Sequence, residues 1–287
     1  MVWKLFGRRV EAPVQLEPQP ELSAAESKPE PVYSLGVDRE GKVRGIFKSD
    51  RIHVAVFGFP GTGKSTLLLS MILQHVRNDE GFLLIDPHGD LVKKLISLIP
   101  KEKWGRVIYV DPLTCFDERF KSVVQINFLE YEKTLDRDLV ARVLMDSLSK
   151  IYSKFWGPRL DMIMMNAIYL LLEASSPRCP KFSEIYDILA NDEYRETKLA
   201  KCSDEKVRSF WEKEFNRMPK DASSAVLTKI YRIVQERVIA PMFDCEKSSI
   251  DFRKAMDQGS FVIINLSEGA ITSDLANFLG SLILARV

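Results

Sequence analysis

The stretch His53–Thr66, His-Val-Ala-Val-Phe-Gly-Phe-Pro-Gly-Thr-Gly-Lys-Ser-Thr, constrains the chain more than any other. Val54–Phe57 is a short apolar run that reads as a buried strand. A glycine-rich turn follows, and Lys64-Ser65-Thr66-Leu67-Leu68-Leu69 opens a helix. Gly58, Gly63, Lys64 and Ser65 stand at the spacing G-x-x-x-x-G-K-[ST] of a phosphate-binding loop, in the strand-before, helix-after context that the motif requires. A polyphosphate is wrapped by backbone N–H groups, so the chain must bring amides close with no side chain between. Gly58, Gly61 and Gly63 permit that approach, and the positive end of the helix then faces the phosphates. The candidate nucleotide site is therefore Gly58, Phe59, Pro60, Gly61, Thr62, Gly63, Lys64, Ser65 and Thr66. Lys64 is the candidate catalytic residue, its ammonium expected between the β- and γ-phosphates. The Ser65 hydroxyl is expected to hold Mg²⁺, so ATP and Mg²⁺ are the anticipated cofactors.

The pattern around this loop predicts an α/β fold. Leu35–Asp38 and Lys42–Phe47 read as two short strands, and the loop helix runs to about Arg77. Gly81–Asp86 is an apolar strand ending in an acid, followed by the turn Pro87-His88-Gly89-Asp90 and a helix through Leu98. Arg106–Asp111 repeats the pattern of apolar strand, Asp and Pro. Alternating strand and helix predicts a mostly parallel sheet with helices on both faces, whose ligands lie at the carboxyl ends of the strands. Asp86, His88 and Asp111 fall at such ends.

From Leu135 to Met242 the texture turns helical. Leu139, Val143, Leu148, Ile151 and Phe155 recur at helical spacing, as do Leu160, Ile163, Met164, Ala167, Ile168 and Leu171, with Trp156-Gly157-Pro158 between the two sets. Further helices are expected at Ser183–Leu189, Asp204–Phe215 and Ala222–Val238. Sheet grammar then returns: a short helix at Asp251–Asp257, a buried strand at Ser260–Leu266, and a last helix from Ser273 to Val287. The division that follows is a Pro/Glu-rich extended segment over 1–32, a nucleotide-binding core over 33–130, an inserted α-helical domain over 131–245, and the core continued over 246–287. Five of the 14 prolines lie between Glu11 and Pro31, where too little apolar surface is available to fold.

Composition excludes several classes. Lys and Arg number 41 against 40 Asp and Glu, so a nucleic-acid partner cannot be argued from overall charge. The basic residues Lys206, Arg208, Lys213, Arg217, Lys220, Lys229, Arg232 and Arg237 read first as a solvated face, since Glu212, Glu214 and Glu236 dilute them. Cys115, Cys179, Cys202 and Cys245 show no paired short spacing, which argues against zinc or a disulfide scaffold and for a reducing, cytoplasmic setting. No apolar run approaches the ~20 residues of a membrane span.

A P-loop hydrolase also needs an acid at the end of a second strand, usually followed by a glutamate that orients water. Four apolar residues followed by Asp-Glu occur nowhere in this sequence; Phe261–Leu266 has the apolar run but carries Asn265 at the polar position. Asp86 and Asp111 are the remaining candidates for a metal acid or a supporting acid, and each is equally readable as a turn-forming residue.

Taken with the P-loop, Asp86-Pro87-His88-Gly89-Asp90 and Asn265-Leu266-Ser267-Glu268-Gly269, the chain resembles the HerA/FtsK-like DNA-pumping ATPases, in the branch containing type IV secretion coupling proteins and their archaeal and bacterial relatives. Leu35–Asp38, Phe155-Trp156-Gly157-Pro158-Arg159, Phe210-Trp211-Glu212 and Leu279-Gly280-Ser281-Leu282 add to the likeness, which runs from about Tyr33 to Val287. The resemblance implies a RecA-like P-loop NTPase core with an inserted all-α domain, assembled as a hexameric ring that drives DNA with ATP. It also implies that the Asp-Glu strand follows the helix ending near Val287, so the chain is expected to be an N-terminal part, or one half of a split motor completed by a second polypeptide. Three functions follow: an ATPase subunit acting on DNA; a nucleotide-binding module without turnover that needs a partner for the missing acid; and, third, a P-loop kinase using Asp86.

Overall fold

The structure, a computed structural model, describes residues 33–46, 53–116, 123–131, 137–175, 177–219, 221–267 and 271–287. The expected Pro/Glu-rich segment over 1–32, Lys220 and the Glu268-Gly269 turn lie outside the described residues.

The first described elements form a hairpin, β1 (Tyr33–Val37) and β2 (Val43–Ile46), paired antiparallel with a bulge between Ser34 and Gly36. It is held on the first helix, α1 (Lys64–Arg77), by a side chain that imitates a strand. Gln74 accepts from the Ser34 amide at 2.8 Å and donates to the Ser34 carbonyl at 3.0 Å. Then come β3 (Phe82–Asp86), α2 (Asp90–Leu98), a 3₁₀ turn at Lys101–Arg106, β4 (Val107–Val110) and a second 3₁₀ turn at Pro112–Phe116. The helical run holds α3 (Arg137–Ile151), α4 (Pro158–Ala174), α5 (Glu184–Ala190), α6 (Asp192–Leu199), α7 (Glu205–Ser209), a π-turn at Phe210–Glu214, α8 (Ser224–Val234) and α9 (Ala240–Phe243). Last are α10 (Phe252–Asp257), β5 (Phe261–Asn265) and α11 (Ser273–Ala285). The starts follow ordinary capping chemistry: Pro158 sits in the first turn of α4, and Asn191, Asp251 and Thr272 accept from the amides of Tyr194, Lys254 and Leu275.

The sheet is parallel, in the order β3-β5-β4. The strand that arrives last in sequence is thus the central one, and all five of its residues are buried. Its alternation assigns two faces. Phe261 and Ile263 pack with Phe82, Val76, Val92, Leu95 and Ile99 beneath α1 and α2, with the Phe82 and Phe261 rings stacked at 5.1 Å. Val262 and Ile264 belong to a second, larger cluster that runs through α3, α4, α8 and α11. One face of the sheet and the helical run therefore share a continuous apolar interior. Helices cover both faces, as the βαβ pattern predicts.

Three expectations are corrected. Among the described residues Val54–Phe57 pairs with no strand, and Val54 and Phe57 are 49% and 91% exposed. An apolar run can be buried in a sheet only beside a strand that accepts its ladder, and neither edge strand, β3 or β4, pairs with it. On α3 the inward stripe is Val140, Ala141, Leu144, Met145 and Leu148, while Leu139 is 46% exposed. The stripe is turned because α3 is packed by α4 and by α11, to which buried Ser147 is tied through Ser281 at 3.1 Å. The last helix ends at Ala285, with Arg286 as its cap, instead of running to Val287. Helices α6 and α9 were not legible from spacing.

Candidate nucleotide site

Residues 58–66 form a turn closed by its own polar groups. The Thr62 hydroxyl donates to the Phe59 carbonyl at 2.7 Å, and the Lys64 ammonium donates to the carbonyls of Gly58 and Phe59 at 2.8 and 2.9 Å. Gly61 and Gly63 have φ of +80° and +91°, a region that residues with a Cβ adopt only with strain. Gly58 is needed for a different reason: a Cβ there would stand 2.6 Å from the Thr62 hydroxyl.

The residues present fit a bound polyphosphate. Gly63 caps α1 without a side-chain acceptor, so the first amides of the helix are left for an incoming anion, and the first turn carries no acid to repel it. The space over Gly61 and Gly63 is open to at least 4 Å. Lys64 lies beside this opening, and Ser65 is exposed at the second helical position. Phe59 is 83% exposed, so nothing among the described residues roofs the loop.

The carboxyl edge of the sheet gathers a second polar group. Parallel register places Asp86 directly beside Asn265, and Asp111 follows β4 on the other side. All three are buried. Asp86 accepts from the amides of His88, Leu91 and Val92 at 3.1, 2.9 and 3.0 Å, so its carboxylate supplies α2 with the cap that Gly89 cannot. Asp111 accepts from the Leu113 amide at 2.8 Å, from the Tyr109 hydroxyl at 2.7 Å and from the Asn265 amide group at 2.7 Å. Burial, and then the Asp111 carboxylate, push the Tyr109 phenol upward, so it stays protonated and donates. No hydrogen bond or ion pair joins Lys64 or Ser65 to either acid among the described residues, and no group of three or more His, Cys, Asp and Glu stands together there as a metal set. His88 is exposed in its turn. Sequence reading missed Tyr109, although its spacing of two from Asp111 on a strand was a usable signal.

No curated protein matches the chain. Among solved structures it is similar to the bacterial conjugative coupling protein TrwBdeltaN70 in an unbound monoclinic form, with 17% identity and a TM-score of 0.45, covering 80% of this chain and 49% of that one. It is similar also to the plasmid coupling protein TrwB with the non-hydrolysable ATP analogue ADPNP (17%, 0.47, 79% and 50%) and with ADP and Mg²⁺ (16%, 0.46, 79% and 50%). The chain spans about half the length of these structures. Among the described residues no helix is long and apolar enough to cross a membrane. The family model described as Helicase HerA, central domain, matches residues 46–287, which takes in the glycine-rich loop, the three parallel strands and every helix from α1 to α11. The chain belongs to that family.

Proposed function

We propose that this chain is the ATP-binding part of a ring-forming DNA translocase, with ATP and Mg²⁺ held at Gly58–Thr66 and hydrolysis coupled to DNA movement. The observation that carries this reading is the loop itself: two left-handed glycines, an acceptor-free helix start, Lys64 and Ser65, within a match to a helicase family. For Lys64 to meet phosphate it must leave the carbonyls of Gly58 and Phe59, exchanging neutral acceptors for a charged one. The Ser65 hydroxyl would hold Mg²⁺, which when bound neutralises phosphate charge. By family resemblance the working unit is a homo-oligomer, a hexameric ring, acting in the cytoplasm.

A second reading has its own support. The carboxylates of Asp86 and Asp111 are engaged by backbone amides and by Tyr109 and Asn265. This supports a module that binds nucleotide but turns it over only when another polypeptide supplies the metal acid. It also weakens the kinase reading, which rests on Asp86. Phe57 and Phe59, exposed beside the loop, suit a surface that a partner covers.

The test is ATP turnover by the chain alone, with and without duplex DNA, beside Lys64→Ala and a nucleotide-binding titration. DNA-stimulated turnover lost in Lys64→Ala supports the translocase. Tight binding without turnover selects the second reading. Absence of nucleotide binding refutes both.

A further inference from the structure

We propose that His75 is a proton-sensitive catch between the β1–β2 hairpin and the helix that follows the glycine-rich loop. With a neutral imidazole the hairpin is clasped to α1; a second proton on the His75 ring releases it. The catch lies at the opposite end of α1 from Lys64 and Ser65, and it stands whatever the loop binds.

Apolar burial holds the hairpin only weakly. Four of the five β1 residues are exposed, with Leu35 and Val37 at 45% and 64%. What remains is a short polar seam along the last turns of α1. Gln74 takes both backbone groups of Ser34, and the Tyr33 hydroxyl stands 2.6 Å from His75 Nε2. The Tyr33 and His75 rings are 5.3 Å apart between centres, and the Phe82 ring of β3 lies 6.2 Å from that of His75. His75 therefore meets both the hairpin and the parallel sheet, and its side chain is only 17% exposed.

The partners assign the hydrogen atoms. Nδ1 stands 3.0 Å from the Glu80 carboxylate, which can only accept, so the neutral ring carries its hydrogen on Nδ1 and Nε2 takes the Tyr33 O–H. A second proton has to go on Nε2, the atom that faces the hydroxyl. Tyr33 must then turn its hydrogen away, and a charged ring is left with little water around it. Glu80 favours the charged ring, but it lies just after α1 and acts whether the hairpin is docked or free. The same holds for the other charges at this end of α1. Lys103 and Arg106 both hold Asp79, and Lys103 also donates to the Val76 and Arg77 carbonyls. On the hairpin itself Tyr33 pairs with Ile46 at the open end, whereas Asp38, Arg39, Glu40, Lys42 and Arg44 lie towards the turn, with Asp38 and Arg44 paired. Among the described residues, docking thus adds to His75 burial and a phenol donor, and both favour the neutral ring. An imidazole in water changes charge near pH 6.5, so the clasp is at full strength above that value and weakens as pH falls below it.

The experiment is hydrogen exchange of the full chain, read by mass spectrometry on peptides covering residues 33–46 between about pH 7.5 and 5.5, with the intrinsic pH dependence of exchange divided out. A two-stranded hairpin is marginal in water by itself, so undocking opens its ladder to exchange. No nucleotide is present, so a failed nucleotide site leaves the measurement intact. The parent is expected to lose protection about 10-fold on acidification, which corresponds to one pH unit of difference between the docked and the free imidazole. His75→Gln loses that dependence. Tyr33→Phe loses it too, and is less protected at pH 7.5. The chain has three histidines, and His53→Gln and His88→Gln, outside the clasp, keep the parental response. Peptides from β5 hold their protection throughout, and far-UV circular dichroism confirms that each variant is folded. Protection that ignores pH in the parent, protection that rises on acidification, or a pH response retained in His75→Gln would each overturn the catch.

Discussion

Replacing Asp86 separates a helix cap from a metal acid. Its carboxylate is buried and accepts three backbone amides, of which the Val92 amide belongs to a buried residue and the Leu91 amide to a half-buried one. Asp86→Ala strips the start of α2 of the side-chain acceptor that caps it. Loss of a cap costs about 0.5–2 kcal/mol, and a buried amide left unpaired costs about 1–3 kcal/mol. The sum, reduced for overlap between the two terms, is about 2–4 kcal/mol. For a chain of this size that lowers Tm by roughly 3–7 °C. Asp86→Asn keeps one oxygen for Leu91 and Val92 and loses the charge at the helix start, so its cost is nearer ~1 kcal/mol. The assay is thermal unfolding by far-UV circular dichroism, with titration of a non-hydrolysable ATP analogue at several Mg²⁺ concentrations. A cap predicts graded loss of stability with unchanged Mg²⁺ dependence. If Asp86→Asn melts with the parent but no longer binds nucleotide in a Mg²⁺-dependent way, the capping argument is wrong and Asp86 is the metal acid.

Lys64→Ala removes only hydrogen bonds to exposed carbonyls, so Tm is expected to stay within about 2 °C of the parent while nucleotide affinity falls about 10- to 100-fold; equal loss in both would show a structural lysine. Gly81→Ala places a Cβ 2.0 Å from the Met256 carbonyl oxygen, backbone against backbone between β3 and α10, and is expected to cost about 2–4 kcal/mol in urea unfolding; parental stability would mean that the two segments can part freely. Burial raises the Glu184 carboxyl, but Arg178, the Lys181 amide, Tyr194 and the charge of Lys198 outweigh it and hold it down at about 2 against an ordinary 4.5. A carboxyl lowered on folding stabilises above its unfolded value, so this contribution, about 2 kcal/mol, is present at pH 6 and lost as pH falls from 4.5 towards 2. Glu184→Gln should flatten the acid limb of stability against pH; an unchanged limb in that variant refutes the assignment.

The parts of the fold that were legible in the sequence are those fixed by neighbours in sequence. The glycine spacing of 58–65, the period of α4 and the alternating strands that end in Asp86 and Asp111 report local geometry, and they reappear with shifts of one or two residues. The misreadings concern residues whose fate depends on a distant partner. Leu139 and Phe155 satisfy the helical period, yet α3 is packed on two sides, and a period alone does not say which side faces inward. Val54–Phe57 has the composition of a buried strand and no ladder partner among the described residues, because apolarity specifies what can be buried and not where a neighbour will stand. The place of Lys64 and Ser65 at the start of α1 was legible because the motif is contiguous. The Asp86 cap and the Asp111–Tyr109–Asn265 cluster were not, because the first depends on where α2 begins and the second closes over 154 residues.

That long closure ties the carboxyl edge to the whole chain. Among the described residues β3 and β4 do not pair with each other; each pairs with β5, which arrives after the helical run. Val262 and Ile264 then rest on the same apolar interior as α3, α4 and α11, so the central strand is seated by the helices as much as by its ladder. Asn265 stands at the end of that strand. It reaches Asp111 at 2.7 Å and the Tyr109 hydroxyl at 3.2 Å, while the following amide, Leu266, donates to the Asp86 carbonyl at 3.0 Å. Among the described residues the two acids are therefore brought to one edge by strands that both pair with β5. The central strand is thus packed against the helical run on one face and beneath α1 and α2 on the other, and it joins the two apolar clusters of the fold.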